Sequence, residues 1–147
     1  MGSDDAVMAF LRYLRHCGLH VTSARERIAG SASAMDGHFT AGDLWARLRS
    51  EDGSVALATV YRTLDLMVEA GVLRRLGFDQ QAHYEVAIGQ ARHEHLVCET
   101  CGRVLEFRDP ELDAQLAQAG ADLGFQAHRH QLLIWGRCAP CQRDDRS

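Results

Sequence analysis

Two pairs of cysteines constrain the fold of this chain more than any other feature of its sequence. Cys98 and Cys101 form one C-x-x-C element, and Cys138 and Cys141 form the other. In a reducing compartment such pairs hold zinc more often than they form disulfides, and two pairs supply a closed, structural Cys₄ site. A thioredoxin-like redox pair is the alternative, but two pairs without a βαβ pattern speak against it. The 36 residues between the pairs exceed the usual zinc-ribbon spacing, which predicts a small subdomain there.

The histidines also concentrate in the second half of the chain. Five of the eight lie between His83 and His130. The fifth cysteine, Cys17, lies alone near the end of a predicted helix, where we expect a small buried hydrophobe. This contrast predicts two small domains, residues 1–86 and residues 87–147.

Helical periodicity dominates the first half. Apolar residues recur at helical spacing in four segments, each with a capping or terminating residue nearby. The segments begin near Val7, after Thr22 or Ser23, at Thr40 with Asp43, and at Ser54, the last one ending at Glu69. Two extended runs, residues 72–76 and 82–86, then form a predicted hairpin. Short helices followed by a hairpin are the plan of a winged helix, in which one helix enters the DNA major groove.

Side chains of the predicted fourth helix suit such an interface. Thr59 and Arg62 project away from the apolar stripe, and Tyr61 lies at its flank. Arginine can reach guanine edges or phosphates, and tyrosine or threonine can contact a thymine methyl group. The candidate phosphate contacts are Arg74 and Arg75 on the hairpin and Arg25 and Arg27 on the second helix. Small helical domains also serve as protein-interaction modules, and periodicity alone does not decide between the two.

The overall charge is acidic, which by itself counts against a nucleic-acid partner. Twenty acidic residues oppose sixteen basic ones, all of them arginine, and the formal net charge is −4. Residues 1–83 hold nine arginines against ten carboxylates, so any positive surface must be local. No apolar run is long enough to span a membrane, and the acidic N-terminus is unlike a signal peptide. We therefore expect a cytoplasmic protein with no membrane partner.

The second half combines helix and strand. A helix is predicted from Asp109 or Pro110 to about Leu123, followed by a strand over residues 125–135. Residues 132–135 form an unbroken apolar run, which is typical of a strand buried on both faces. The simplest way to bury it is a helix on one side of the sheet and a partner subunit on the other.

Two separate motifs closely resemble the ferric uptake regulator family. Residues 57–64 read LATVYRTL, and residues 93–107, about thirty positions later, read HEHLVCETCGRVLEF. Further matches extend the resemblance to roughly residues 6–141. The family consists of dimeric, metal-sensing bacterial repressors. The resemblance implies an α+β protein, with an N-terminal winged-helix DNA-binding domain and a small C-terminal α/β dimerisation domain. It also implies a homodimer on palindromic, AT-rich operator DNA, with Tyr61 and Arg62 as DNA contacts; a tetramer on DNA is left open.

The resemblance also implies a regulatory metal site. Its ligands carry over as His38, Glu85, His93 and His95, with Glu106 where some members supply a further carboxylate. The residues themselves agree, because His93 and His95 alternate onto one face of a strand and can point at one ion. Imidazoles and carboxylates suit Fe(II), Mn(II) or Zn(II), and the lack of a cysteine near Glu85 favours iron or manganese.

A second metal site of many family members is matched only in part. Glu94, Asp113 and His130 are present. The remaining position is Arg92, a permanent cation that cannot bind a metal. The sequence leaves open whether this site is missing, weakened or completed by His128.

The sensed signal is also left open. Within the family, control of zinc uptake is one alternative, and peroxide sensing by oxidation of His38 or His93 beside Fe(II) is another. A non-haem metalloenzyme with two histidines and a carboxylate is a more distant alternative, because it does not explain the winged helix. We expect a regulator and not an enzyme.

Overall fold

A computed structural model describes residues 2–51, 53–77 and 80–144. The chain divides into two compact units, Met1–Gln90 and Ala91–Ser147. In the described residues, helices and two three-stranded sheets give the α+β fold that the sequence predicts. None of these helices is both long enough and apolar enough to cross a membrane.

The first unit has the predicted plan of short helices followed by a hairpin. Strand β3 is central in its sheet and pairs antiparallel with β1 and β2. The elements are α1 (Ser3–His16), α2 (Ser23–Ser33), β1 (Phe39–Thr40), α3 (Ala41–Glu51), α4 (Leu57–Glu69), β2 (Leu73–Gly77) and β3 (Ala82–Val86).

Side-chain caps fix two of the helix starts in the first unit. The Thr22 hydroxyl accepts the N–H of Arg25 at 3.2 Å, which settles the cap of α2 on Thr22. Before α3, Asp43 accepts the N–H of Thr40 at 2.8 Å, and the Thr40 hydroxyl accepts the N–H of Asp43 at 3.1 Å. This reciprocal arrangement is a capping box, and it lowers the pKa of Asp43 mainly through the hydrogen bond from the Thr40 backbone.

Helix α4 begins at Leu57 and not at the predicted Ser54. Val55 is buried, and its carbonyl accepts the indole N–H of Trp45 at 2.9 Å. Ala56 then has extended backbone angles. Because the tertiary contact uses the Val55 carbonyl, the chain there is held outside the helix.

The apolar core of the first unit is contributed by all four helices and the sheet. Phe10, Ile28, Leu44, Leu64 and Tyr84 are among the side chains that are fully buried. Cys17 does not belong to this core and is exposed, so the expectation of a buried Cys17 is wrong. The reason is local: α1 ends at His16, and the chain turns through Gly18 at the surface.

The second unit is a smaller α/β arrangement. Strand β4 is central in its sheet, pairing antiparallel with β5 and parallel with β6. The Asp109 carboxylate caps α5 by accepting the N–H groups of Glu111 and Leu112. The elements are β4 (Glu94–Cys98), β5 (Val104–Phe107), α5 (Pro110–Asp122), β6 (Leu133–Gly136) and α6 (Ala139–Asp144).

The last strand is shorter and more exposed than predicted. It covers four residues where the sequence predicts residues 125–135, because it extends only along its partner β4. Ile134 is 42% exposed and Trp135 is 50% exposed, so neither is buried within the single chain, and burial of one face by a partner subunit stays a prediction. Among the described apolar residues of this unit, only Val97, Cys98 and Cys141 are buried.

Candidate metal centres and nucleic-acid interface

The four paired cysteines converge in the second unit, with each sulfur within 4.8 Å of the others. Cys98 ends β4, and Cys101 lies in the turn that follows. That turn needs Gly102, whose φ of 73° is unfavourable for other residues. Parallel pairing of Cys98 with Gly136 brings the second cysteine pair beside the first.

The electrostatics of this cluster suit a shared cation. The N–H of Cys138 donates to the Cys98 sulfur at 3.3 Å, and the Cys101 and Cys138 sulfurs lie 3.6 Å apart. Backbone N–H groups, that of Cys138 first, lower the pKa of Cys98 to about 5. The neighbouring thiols of Cys138 and Cys101 raise the pKa of Cys141 to about 12. Deprotonating all four sulfurs at these distances requires a cation between them, and this donor set fits structural zinc.

A second cluster lies along one face of β4. The His93 and His95 rings are edge to face, with centroids 4.9 Å apart. Glu106 of β5 is the cross-strand partner of His95, and its Oε1 lies 3.6 Å from Nε2 of His93. One donor atom of each residue lies within 4.8 Å of the others. Both histidines are buried and Glu106 is half exposed, so two imidazoles and a carboxylate are arranged for one ion.

The residue between the two histidines supplies a third cluster, since successive strand residues point to opposite faces. Oε1 of Glu94 lies 2.9 Å from Nε2 of His130, and Oδ1 of Asp113 lies 3.1 Å from the same nitrogen. Arg92 donates to the His130 carbonyl at 2.8 Å. His128 is exposed and is not among the donors of this cluster.

The first unit contributes a histidine–carboxylate pair at the start of its sheet. Nε2 of His38 lies 3.1 Å from Oε2 of Glu85. The other oxygen of Glu85 accepts Nη1 of Arg74 at 2.6 Å. Glu85 is only 3% exposed, so these contacts hold a buried carboxylate.

Helix α4 presents two of its predicted DNA contacts to solvent. Tyr61 is 46% exposed, and Arg62 is exposed beside it. Thr59 is half-buried, and its carbonyl accepts the hydroxyl of the buried Thr63 at 2.8 Å. An exposed Tyr–Arg pair on one helix suits contact with base edges and phosphates.

The other candidate arginines differ in their surroundings. Arg25 donates to the His20 carbonyl at 2.6 Å, which anchors it near the start of α2. Arg75 is half exposed, lies 3.6 Å from Asp65 of α4, and has its guanidinium 5.7 Å from the centre of the Tyr84 ring. Arg74 is instead paired with Glu85. Residue type alone does not distinguish Arg74 from Arg75. The register of the hairpin does, because it places Arg74 directly opposite Glu85.

A helical unit ending in an antiparallel wing, followed by a unit with a cysteine cluster and His–carboxylate clusters, defines a metal-binding winged-helix regulator. Residues 16–135 match the ferric uptake regulator family, and the chain belongs to that family. Members are metal-responsive transcriptional regulators.

Individual relatives cover nearly the whole chain. It is 36% identical to the ferric uptake regulation protein of Bordetella parapertussis over 132 residues, which are 88% of this chain and 94% of the relative. The structure of the Pseudomonas aeruginosa ferric uptake regulator with manganese is similar, with a TM-score of 0.74 and 34% identity over 86% of this chain and 95% of that one. The Francisella tularensis regulator with iron has a TM-score of 0.69 and 30% identity over 85% and 96% of the two chains.

Proposed function

We propose that this protein is a dimeric repressor that binds palindromic, AT-rich operator DNA when its regulatory site holds Fe(II) or Mn(II). The observation that carries the proposal is the His93, His95 and Glu106 cluster in a chain that also has an exposed Tyr–Arg pair on a winged helix. One chain therefore combines a candidate metal-binding site with a candidate DNA-binding surface. We expect it to control metal-homeostasis genes.

The regulatory ion is proposed to take ligands from both units. His93, His95 and Glu106 would supply one part of its shell, and His38 and Glu85 the other, as the family resemblance implies. An ion with ligands on two units binds best to one arrangement of those units. It therefore shifts the population toward that arrangement by its difference in affinity.

The donor types favour iron or manganese. Three imidazoles and two carboxylates form a nitrogen and oxygen shell without thiolate, which suits these metals. The similar regulators with manganese and with iron support this choice. Zinc is proposed for the separate cysteine cluster, where it would stabilise the second unit.

A further cation is proposed for the cluster of Glu94, Asp113 and His130. Their close contacts support it, as does the position of Arg92, which donates to a backbone carbonyl. His128 is not required for this set, and removing it should leave the cluster unchanged.

The DNA contacts are proposed to be centred on α4. Tyr61, Arg62 and Thr59 would face the major groove, and Arg25 and Arg75 would contact phosphates on either side. Two candidates remain: Arg27, whose Nη1 donates to the Ser54 hydroxyl at 3.1 Å, and Arg74, whose contact with Glu85 makes its role depend on the metal site.

Dimerisation is proposed to cover an apolar row in the second unit. Leu105, Leu96 and Ile134 are cross-strand neighbours on β5, β4 and β6. Leu105 is 45% exposed and Ile134 is 42% exposed. A two-fold dimer that buries this row would match a palindromic operator.

The proposal is tested by titrating metal against DNA binding. Fluorescence anisotropy on a palindromic, AT-rich operator fragment is measured at buffered free Fe(II) without oxygen, and at buffered Mn(II) and Zn(II). We expect DNA binding to need the metal, and His95→Ala to raise the metal concentration required by at least about tenfold. His16→Ala, which changes an exposed histidine on α1, is the matched control and should behave as the unmodified protein.

Two results would contradict the proposal. If the protein binds DNA equally well with and without metal, the proposed regulatory role of the metal is wrong. If it binds no DNA with any of the three metals, the proposed repressor function is wrong. Mass spectrometry after peroxide treatment of the Fe(II)-loaded protein distinguishes a metal regulator from the related alternative, a peroxide sensor. A metal regulator should keep its histidines intact, whereas oxygen addition at His38 or His93 would assign peroxide sensing.

A further inference from the structure

We infer that Arg74 is an internal competitor for the regulatory metal: by occupying Glu85, it sets the metal concentration at which the ion binds. This inference rests on the proposed function in one respect, namely that Glu85 is a ligand of the regulatory ion. Beyond the proposed function, it assigns Arg74 a role, because the positive charge of Arg74 opposes binding of that ion.

The contact is specific and largely removed from solvent. Oε1 of Glu85 accepts Nη1 of Arg74 at 2.6 Å, and Oε2 lies 3.1 Å from Nε2 of His38. The Glu85 side chain is 3% exposed and that of Arg74 is 29% exposed. Both carboxylate oxygens are thus engaged by side chains of the first unit before any ion arrives.

The position of Arg74 is fixed by the backbone. Arg74 and Glu85 are direct partners in the antiparallel β2–β3 pair, where opposite side chains lie within a few ångströms of each other. The next residue, Arg75, points to the other face of β2 and contacts Asp65. One strand therefore carries two arginines, of which Arg74 contacts the proposed ligand Glu85 and Arg75 contacts Asp65.

The consequence for binding follows from charge. A buried carboxylate is costly without a cation, so Arg74 stabilises the metal-free protein. A divalent ion on Glu85 meets a guanidinium already at the same carboxylate, and the two positive charges repel in a partly buried site. Metal binding must therefore displace Arg74 or proceed against it, and in both cases the affinity is lowered.

The test is a direct metal titration that involves no DNA. The full chain, with zinc in its cysteine cluster, is titrated with Mn(II) by calorimetry, and its Tm is measured with and without Mn(II). We expect Arg74→Gln to bind Mn(II) on the order of tenfold more tightly. Its metal-free Tm should fall by roughly 5 °C, and Mn(II) should raise its Tm by more than it raises that of the unmodified protein.

Three further variants isolate the charge. Arg74→Lys keeps the charge and should stay within a few-fold of the unmodified affinity. Arg74→Met keeps the aliphatic stem and should repeat the tighter binding, including when Arg74→Gln folds poorly. Arg75→Gln, on the opposite face of the same strand, should leave Mn(II) affinity unchanged. His130→Ala as a common background removes binding by the Glu94, Asp113 and His130 cluster from the titration.

Failure of the inference differs from failure of the proposed site. If Glu85→Gln leaves Mn(II) binding unchanged, Glu85 is not a ligand, and both the proposed site and the role of Arg74 fail. If Glu85→Gln weakens binding while both neutral Arg74 variants bind Mn(II) no more tightly than the unmodified protein, the site stands and the competition is refuted. Equal gains in affinity from Arg75→Gln and Arg74→Gln would also refute it, since the effect would be one of general charge.

Discussion

The two units of this chain bury different kinds of side chain. In the first unit, apolar residues from four helices and a sheet form one continuous core that includes Phe10, Ile28 and Leu64. In the second, helix α5 has no buried residue, and the buried set includes His93, Glu94 and His95. The first unit is therefore stabilised mainly by the hydrophobic effect, whereas we expect the second to depend on metal bound by its clusters and on the proposed dimer contact.

This difference shows how a small regulator can respond to an ion. A unit with a complete apolar core gains little further stability from a metal. Most of the buried side chains of the second unit are thiols, imidazoles and a carboxylate, and such groups repel or remain poorly solvated when they are buried without cations. We therefore expect the folded population of this unit to be coupled to metal binding.

The strongest test of this comparison is removal of zinc. Chelation, or Cys98→Ser, should unfold the second unit, because structural zinc contributes on the order of 10 kcal/mol in small zinc domains. The fluorescence of Trp135 and hydrogen exchange of β4 and β6 should report this loss. Cys17→Ser is the control, since Cys17 is exposed and lies outside the cluster. A second unit that keeps its hydrogen-exchange protection without zinc would refute the comparison.

The next largest effect is expected in the core of the first unit. Phe10→Ala should lower the free energy of unfolding of that unit by about 3–5 kcal/mol, because Phe10 is fully buried. Urea unfolding followed by Trp45 fluorescence, in a Trp135→Phe background, isolates the first unit. Met8→Ala on the same helix is the control, as Met8 is 48% exposed. Similar losses at both positions would mean that this core is not what stabilises the unit.

The smallest effect concerns the exposed face of the second unit. Ile134→Asp should weaken self-association by about 2 kcal/mol, some thirtyfold in Kd, because it places a charge in the apolar row. Sedimentation velocity of the zinc-loaded protein over a range of concentrations measures this. Glu99→Gln, an exposed change in the turn after β4, should have no effect. An unchanged Kd for Ile134→Asp would place the dimer interface elsewhere.

Sequence patterns predicted the local features of the fold well. The helix starts at Thr22, Thr40 and Asp109 follow from capping residues, because a cap acts over three or four positions. The start of α4 was wrong by three residues, since the Trp45 contact with the Val55 carbonyl joins residues ten apart. The expected burial of Cys17 was also wrong, because burial depends on tertiary packing that periodicity does not describe, whereas burial of Ile134 by a partner subunit stays a prediction.

The candidate sites were predictable to a similar extent. C-x-x-C spacing and the H-x-H motif identify candidate ligands that lie close together, because knuckles and alternating strand residues are local geometry. The family resemblance implied a separate cluster for Glu94, and strand alternation agrees with it. The separate contacts of Arg74 and Arg75 could not be predicted in this way, because they depend on the strand register, which arises only when the hairpin forms.

Strand β4 carries a constraint on length that its residue types do not reveal. His93 and His95 belong to one cluster, Glu94 to another, and Cys98 to a third. Inserting one residue between His93 and Glu94 would turn Glu94, His95 and Cys98 to the opposite face relative to His93, which moves donors of all three centres at once. We expect a single substitution here to damage one centre, whereas this change of one residue in length would damage all three.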